Sequence, residues 1–414
     1  MKKILTSFLS IALVLSMLLL TVSCGSVSAG DLMAEISREK VDGKGHDSDF
    51  GEAQIDFALE LFKNVALQKD ENILLSPVSA MYALAMVANG AKGETLSEME
   101  EALGGISIDE LNEYLYSFAE TLSKTNFTEL YNSIWLRSDG SFTVNKEFLQ
   151  KNANYYGADV YSEAFDESTA KRINAWANEK TRGMIKEVVK ASDLADAVMI
   201  LANATVFEAD WQNPFNSELV KDGVFTSASG KKQTVSMMSS TESTYLDGEN
   251  AVGFKKYYSG GRYSFAAILP DDGDVYGYLE NLSAGELMRL LSTEKKDNVR
   301  VHVTMPKFKG EYETALNDAL KSMGMVSAFS GGADLSGISE GLCIDSVKQK
   351  TFIELDEKGT KAAAVTVIET LTTSASVVTK YKEYEVKLDR PFVYFIVEEE
   401  TNLPVFMGIV TDLG

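Results

Sequence analysis

"GTKAAAVTVIETLTTSASVV", Gly359 to Val378, is the stretch on which the reading of this chain turns. One glycine is followed by residues that are almost all small or β-branched, without proline, and only Lys361 and Glu369 are charged. Loops draw on Gly, Pro, Asn and Asp, and an ordinary strand runs to about 5–6 residues. The stretch therefore has the composition of a strand and the length of a loop.

Working outward, the flanks read as one α+β unit. Downstream, "EYEVKLDRPFVYFIVEEETNLPVFMGIVTD" carries two apolar runs, Phe392 to Val397 and Val405 to Val410, that form a hairpin around "EEETNLP". Upstream, "VRVHVTMPKFKGEYET" and "YSFAAILP" read as strands, and "ALNDALKSMG" between the first of these and Gly359 reads as a helix. "AVMILANATVFEADW" is a buried strand leading into a turn, "YNSIWLR" is β-like, and "KRINAWANEKTRGMIKEVV" is a helix broken near Gly183. Nearer the start, Ile55, Ala58, Leu59, Phe62 and Ala66 mark an amphipathic helix. Ser76 followed by Pro77 starts another, which Gly90 stops; Thr95 with Glu98 predicts a capping box for a third, ending at Gly104. No repeat or linker interrupts residues 50–414, which predicts a single domain with large antiparallel sheets.

The chain of 414 residues is 45% apolar and 24% charged, a folded composition with ample core. Its formal charge of −22, without any long Lys/Arg cluster, argues against nucleic acid and against a heparin-type polyanion site. Residues 1–24 form an export signal: Lys2 and Lys3, an apolar run from Ile4 to Val22, then "TVSC", which suits lipidation at Cys24. Cleavage after Ala29 (a signal of 1–29) is the alternative, so the protein is expected at the cell surface as a lipoprotein, or secreted. A retained membrane anchor is a third reading. Residues 25–49 are polar and read as a flexible tether. Beyond Cys24 only Cys343 remains, so no intramolecular disulfide forms and stability must come from packing.

Enzyme chemistry is scarce. The two histidines, His46 and His302, leave a nucleophile almost no base, so hydrolysis is not expected. His302 sits in a strand pattern and Cys343 reads as a small buried residue. No cluster has metal-ligand spacing, and "SGGADLSGISEG" lacks the lysine and the setting of a phosphate loop; no cofactor is expected.

Taken in order, "NILLSPVSAMYALAMVANGAKGETLSEMEEALG", "LANATVFEADWQNPF", "MPKF", "FSGGADLSGIS", "ELDEKGTKAAA" and "LDRPFVYFIVEEETNLPVFMGIV" resemble the serpin family over residues 50–414. The resemblance implies about nine helices and three β-sheets with an exposed reactive-centre loop. It places Ser76, Ser79 and Asn203 in the "shutter" of the main sheet and Trp211 in the "breach" at its top. Gln349 stands where many members carry histidine; its amide can still donate and accept hydrogen bonds, but a pH response there is lost.

In the family, the stretch from Gly359 is a bait loop of a metastable fold, and cleavage lets it enter the main sheet as an added strand. Strand alternation then sends Thr360, Ala362, Ala364 and Thr366 to one face and Lys361, Ala363 and Val365 to the other. Small residues on the first face suit entry between packed strands. Glu357 and Gly359 open this hinge, the glycine supplying backbone freedom where insertion redirects the chain. Lys361 and Val365 replace a usual glutamate and a smaller residue, which bears on the rate of insertion. The usual spacing puts the scissile bond between Thr373 and Ser374, with Ala375, Val377 and Val378 as alternatives. All suit a shallow apolar pocket of an elastase-like or subtilisin-like protease. The resemblance implies a monomer whose partner is a serine protease, held as a covalent acyl-enzyme, and the alternative is a non-inhibitory binding or chaperone-like member.

Overall fold

The computed structural model describes residues 30–138, 143–360 and 380–414. The expected signal with Cys24 lies outside the described residues, as do Ala362, Ala363, Ala364, Thr366 and the bonds at Thr373, Ser374, Ala375, Val377 and Val378.

The described residues form nine α-helices: α1 (Ser48–Ala66), α2 (Pro77–Ala88), α3 (Gly93–Ala102), α4 (Ile108–Ser123), α5 (Lys146–Tyr156), α6 (Glu167–Lys180), α7 (Val275–Asn281), α8 (Ala284–Leu291) and α9 (Asn317–Ser322). The strands are β1 (Ile73–Leu75), β2 (Thr128–Arg137), β3 (Asp159–Glu163), β4 (Met199–Phe207), β5 (Ala209–Asp210), β6 (Lys221–Thr226), β7 (Lys232–Glu242), β8 (Thr244–Gly248) and β9 (Ala251–Tyr257). They continue with β10 (Tyr263–Pro270), β11 (Val299–Pro306), β12 (Phe308–Ala315), β13 (Ser346–Leu355), β14 (Gly359–Thr360), β15 (Lys382–Lys387), β16 (Phe392–Glu398) and β17 (Leu403–Val410).

Three sheets result. The main sheet runs β3-β2-β4-β13-β14-β5 with β12 paired to β13; a six-stranded sheet runs β1-β17-β16-β10-β9-β8 and a four-stranded one β15-β11-β7-β6. The six-stranded sheet is antiparallel throughout, as expected. The other two are mixed, because β2 and β3, β4 and β13, and β11 and β15 run parallel. Parallel neighbours require a long return path, and the chain supplies one by building strands of the other sheets between β4 and β13.

Helix α2 is buried along its whole length, between β2 and β4 of the main sheet and β17 of the six-stranded sheet. Ser76 caps it, its hydroxyl accepting from the Ser79 amide, and Pro77 fills a first-turn position where no amide hydrogen is needed. The expected capping box at Thr95 does not form. Helix α3 starts earlier, at Gly93; the Thr95 hydroxyl instead accepts from the Asp334 amide, and Glu98 accepts from the amides of Val326 and Ser327. Both side chains fasten a neighbouring loop, which outcompetes the local cap.

The tether expected over 25–49 is corrected from Gly30 onward. Gly30 and Leu32 bond to Ser162 and Val160 of β3, Leu32, Met33 and Ile36 pack on the core, and Glu39 and Lys44 bond to Asn154 and Glu113. The segment covers the outer edge of β3, where an edge strand leaves backbone donors and acceptors in need of partners.

Candidate functional site

The site is the seam between β4 and β13 at the centre of the main sheet. In its lower half the strands pair in parallel, Ser346 to Lys350 against Ile200 to Ala204. A buried polar cluster closes this half. Gln349 accepts from the Ser76 amide (2.9 Å) and donates to the Ser76 carbonyl (2.9 Å) and to the Asn203 side-chain oxygen (3.2 Å). Asn203 in turn donates to the Ser79 carbonyl (2.6 Å) and to Asn132 of β2 (2.7 Å). One step further along β13, the Thr351 hydroxyl donates to the Leu74 carbonyl at 2.6 Å. The sheet is thereby stitched to the chain entering α2. Ser76, Asn203 and Gln349 meet here; Ser79 joins through its backbone, and its buried hydroxyl has no partner among the described residues.

Above Lys350 and Ala204 the two strands share no pairing among the described residues. At the top a third strand stands between them: Gly359 and Thr360 pair with Asp210 and Ala209 of β5, which continues the line of β4, while Thr360 also pairs with Leu355 of β13. One interposed strand means two inter-strand spacings, so the walls of the seam stand about 9–10 Å apart here and about 5 Å apart below. The seam is a wedge with the hinge in its mouth.

The mouth is built from aromatic rings and charges. Trp211 is buried, stacks on Tyr258 (centroids 4.3 Å apart, planes at 14°), donates from its ring nitrogen to the Asp356 carbonyl (2.9 Å) and from its amide to the Lys358 carbonyl (2.7 Å). Thr360 is 2% exposed, and its hydroxyl lies 2.6 Å from the equally buried Tyr258 hydroxyl. Burial pushes the Tyr258 phenol well above its ordinary pKa, so it is a neutral hydrogen-bonding group at any physiological pH. Glu357 pairs with Lys307 of the "MPKF" turn. Burial is the largest single influence on the Glu357 carboxyl and acts to raise its pKa, but the Lys307 bond, a backbone amide and the charges of Lys307 and Lys358 together hold it below the usual carboxylate range. Lys256 completes the mouth: burial lowers its pKa against the pull of Glu242, and its ammonium donates to Glu242 and to the Asn213 carbonyl while facing the Phe215 ring at 4.2 Å.

Gly359 has a reason beyond hinge freedom. Its φ is not positive in this state; a Cβ would lie 2.2 Å from the Ala209 carbonyl oxygen, so only glycine lets the hinge backbone close on β5. The sequence reading missed Asn132, Thr351, Lys307, Lys256 and Tyr258. Only Lys307 had a signal, as part of a quoted motif; the rest join the site through pairings distant in sequence. His302 is an exposed strand residue, its Nε2 2.7 Å from a Glu383 carboxylate oxygen, and Cys343 is half-buried with its thiol pKa raised by burial.

This geometry agrees with comparisons to known proteins. Residues 52–413 match the family model described as serpin (serine protease inhibitor). The chain is 32% identical to an uncharacterized serpin-like protein of Thermococcus kodakarensis over 85% of this chain and 83% of that protein. It is 30% identical to mouse alpha-1-antitrypsin 1-4 over 86% of this chain and 87% of that one. Among solved structures, the native state of the thermophilic serpin tengpin matches at 42% identity with a TM-score of 0.86, covering 94% of this chain and 100% of that one. The latent state of tengpin matches at 38% identity with a TM-score of 0.76, covering 90% and 100%. The chain belongs to the serpin family, whose members are in general inhibitors of serine proteases rather than catalysts.

Proposed function

We propose that this protein traps serine proteases by a suicide-substrate mechanism. The observation that carries the reading is the wedge: the main sheet is closed below by Gln349, Asn203 and Ser76, and holds the first two loop residues, Gly359 and Thr360, in an opening one strand wide above. A loop that continues with Ala362, Ala364 and Thr366 on the Thr360 face is suited to extend that strand downward.

The protease serine attacks the Thr373 carbonyl, its proton passes through the protease's own base to the leaving Ser374 amine, and an ester joins enzyme to loop. The freed segment from Lys361 to Thr373 then enters the wedge, replaces the β4–β13 pairs below it, and carries the ester-bound protease away before water completes the cycle. Native stability in such a molecule is a rate of escape from a trapped fold. A threonine before the bond favours elastase-like or subtilisin-like targets, with Ala375, Val377 and Val378 as neighbouring sites of the same preference. We further place the protein outside the cytoplasm as a monomer, anchored through a lipid on Cys24, with free secretion after cleavage at Ala29 as the other arrangement. Mass analysis of the mature N-terminus separates these two.

The test is incubation with an elastase-like protease. A complex that survives SDS, with the C-terminal loop peptide beginning at Ser374, is the expected result. Clean cleavage without complex assigns the protein to the non-inhibitory members instead.

A further inference from the structure

We propose that Tyr258 is the positioning residue that holds the hinge inside the sheet before any protease arrives, acting through its hydroxyl on Thr360. The inference rests on the loop-insertion reading and concerns its first step.

Tyr258 is fully buried, and its ring is fixed on several sides: Trp211 stacks on one face, Phe207 meets it edge-on at 4.9 Å, and its backbone bridges to Trp211. The ring therefore cannot swing to follow a departing partner. Its hydroxyl has one hydrogen-bond partner among the described residues, the Thr360 hydroxyl at 2.6 Å. If Thr360 leaves the sheet, the Tyr258 hydroxyl stays where it is, sealed from water. A buried hydroxyl deprived of its partner is a larger penalty than the net gain of an exposed hydrogen bond, so the pair biases the hinge inward.

The bias acts where insertion begins. The first pair of an added strand orders chain without the support of a preceding pair, and here that ordering is complete in the intact molecule. After cleavage the loop has only to extend β14. Tyr258 thus sets the starting position of insertion without contacting the protease or the scissile bond.

Four variants of the intact chain test this: Tyr258→Phe, Thr360→Val, Thr360→Ser and the Tyr258→Phe/Thr360→Val pair. Hydrogen exchange of the segment Asp356 to Thr360 is the primary readout, with the β16–β17 hairpin as the measure of global stability. Tyr258→Phe and Thr360→Val are each expected to speed exchange in the segment about tenfold while the hairpin is unchanged. Thr360→Ser, which keeps a hydroxyl, stays close to wild type. The double variant is no faster than either single one, because it strands neither hydroxyl. Unchanged exchange in Tyr258→Phe, or a rise shared equally by the hairpin, overturns the proposal, as does simple addition of the two single effects. These readings need no protease, so their failure leaves the inhibitor reading standing. Absence of an SDS-resistant complex in the wild type removes that reading while leaving the Tyr258–Thr360 pair intact. Where the complex forms, Tyr258→Phe is expected to raise severalfold the number of inhibitor molecules consumed per protease trapped, with its second-order association unaltered.

Discussion

The two halves of one seam differ in what closes them. Below, β4 and β13 pair directly and a buried amide network ties both to the chain entering α2. Above, the same two strands are held apart by Gly359 and Thr360, and the contacts around the opening include aromatic stacks, the Glu357–Lys307 and Lys256–Glu242 ion pairs and one hydroxyl pair. Backbone pairing is satisfied by any strand of suitable side chains, whereas the amide network must be broken before a strand can pass. On the proposed mechanism the upper half admits chain and the lower half delays it.

Thr360→Arg puts a long charged side chain into a position only 2% exposed, and the yield of covalent complex should fall about tenfold or more while loop cleavage continues, read by gel after protease incubation. Unchanged yield would show that Thr360 does not face the inserting side. In the lower half, Gln349→Ala leaves the Ser76 amide without its acceptor, which should lower stability by about 2 kcal/mol and speed thermal unfolding of the intact protein. Equal behaviour of Gln349→Ala and wild type would remove the network from the account.

Smaller effects sharpen the contrast. Glu357→Gln breaks the pair with Lys307 at the rim and should cost about 0.5–1 kcal/mol. Because the folded state holds this carboxyl below its ordinary range, its stabilisation is complete above the unfolded value of about 4.3 and is lost as pH falls through the lower folded value. Protection of the hinge amides, corrected for the intrinsic exchange rate at each pH, should therefore fall in acid in the wild type, and less so in Glu357→Gln. The smallest expected effect is a gain: Gln349→His should give the lower half a pH response centred near the histidine value of about 6.5, since an imidazolium can no longer accept from the Ser76 amide. Unfolding rates measured from pH 5.5 to 7.5 should slope for that variant and stay flat for this residue's amide.

Much of this division was legible in the sequence, for local reasons. The Ser76–Pro77 start of α2 is a short-range signal, and the small and β-branched residues after Gly359 have the composition of a strand. What escaped the sequence depends on distant register. Tyr258 is one aromatic among seventeen tyrosines until the bridge to Trp211 brings it over Thr360. Asn132 joins Asn203 because β2 and β4 pair there in antiparallel register. The polar composition of residues 30–47 suggested a tether because its bonds to the body are largely backbone bonds, which composition does not encode. Gly359 was expected to serve motion, and the structure adds a static demand: the Ala209 carbonyl leaves no room for a side chain.

Hydrogen exchange of the intact and loop-cleaved protein, compared along the two walls of the seam, tests the central claim most directly. Amides of Thr205 to Phe207 and Thr351 to Glu354 that point across the seam should exchange readily before cleavage and become strongly protected after it, while Ile200 to Ala204 and Ser346 to Lys350 remain protected in both forms. Unchanged exchange in the upper half after complete cleavage would contradict the account, because no strand would have entered the wedge.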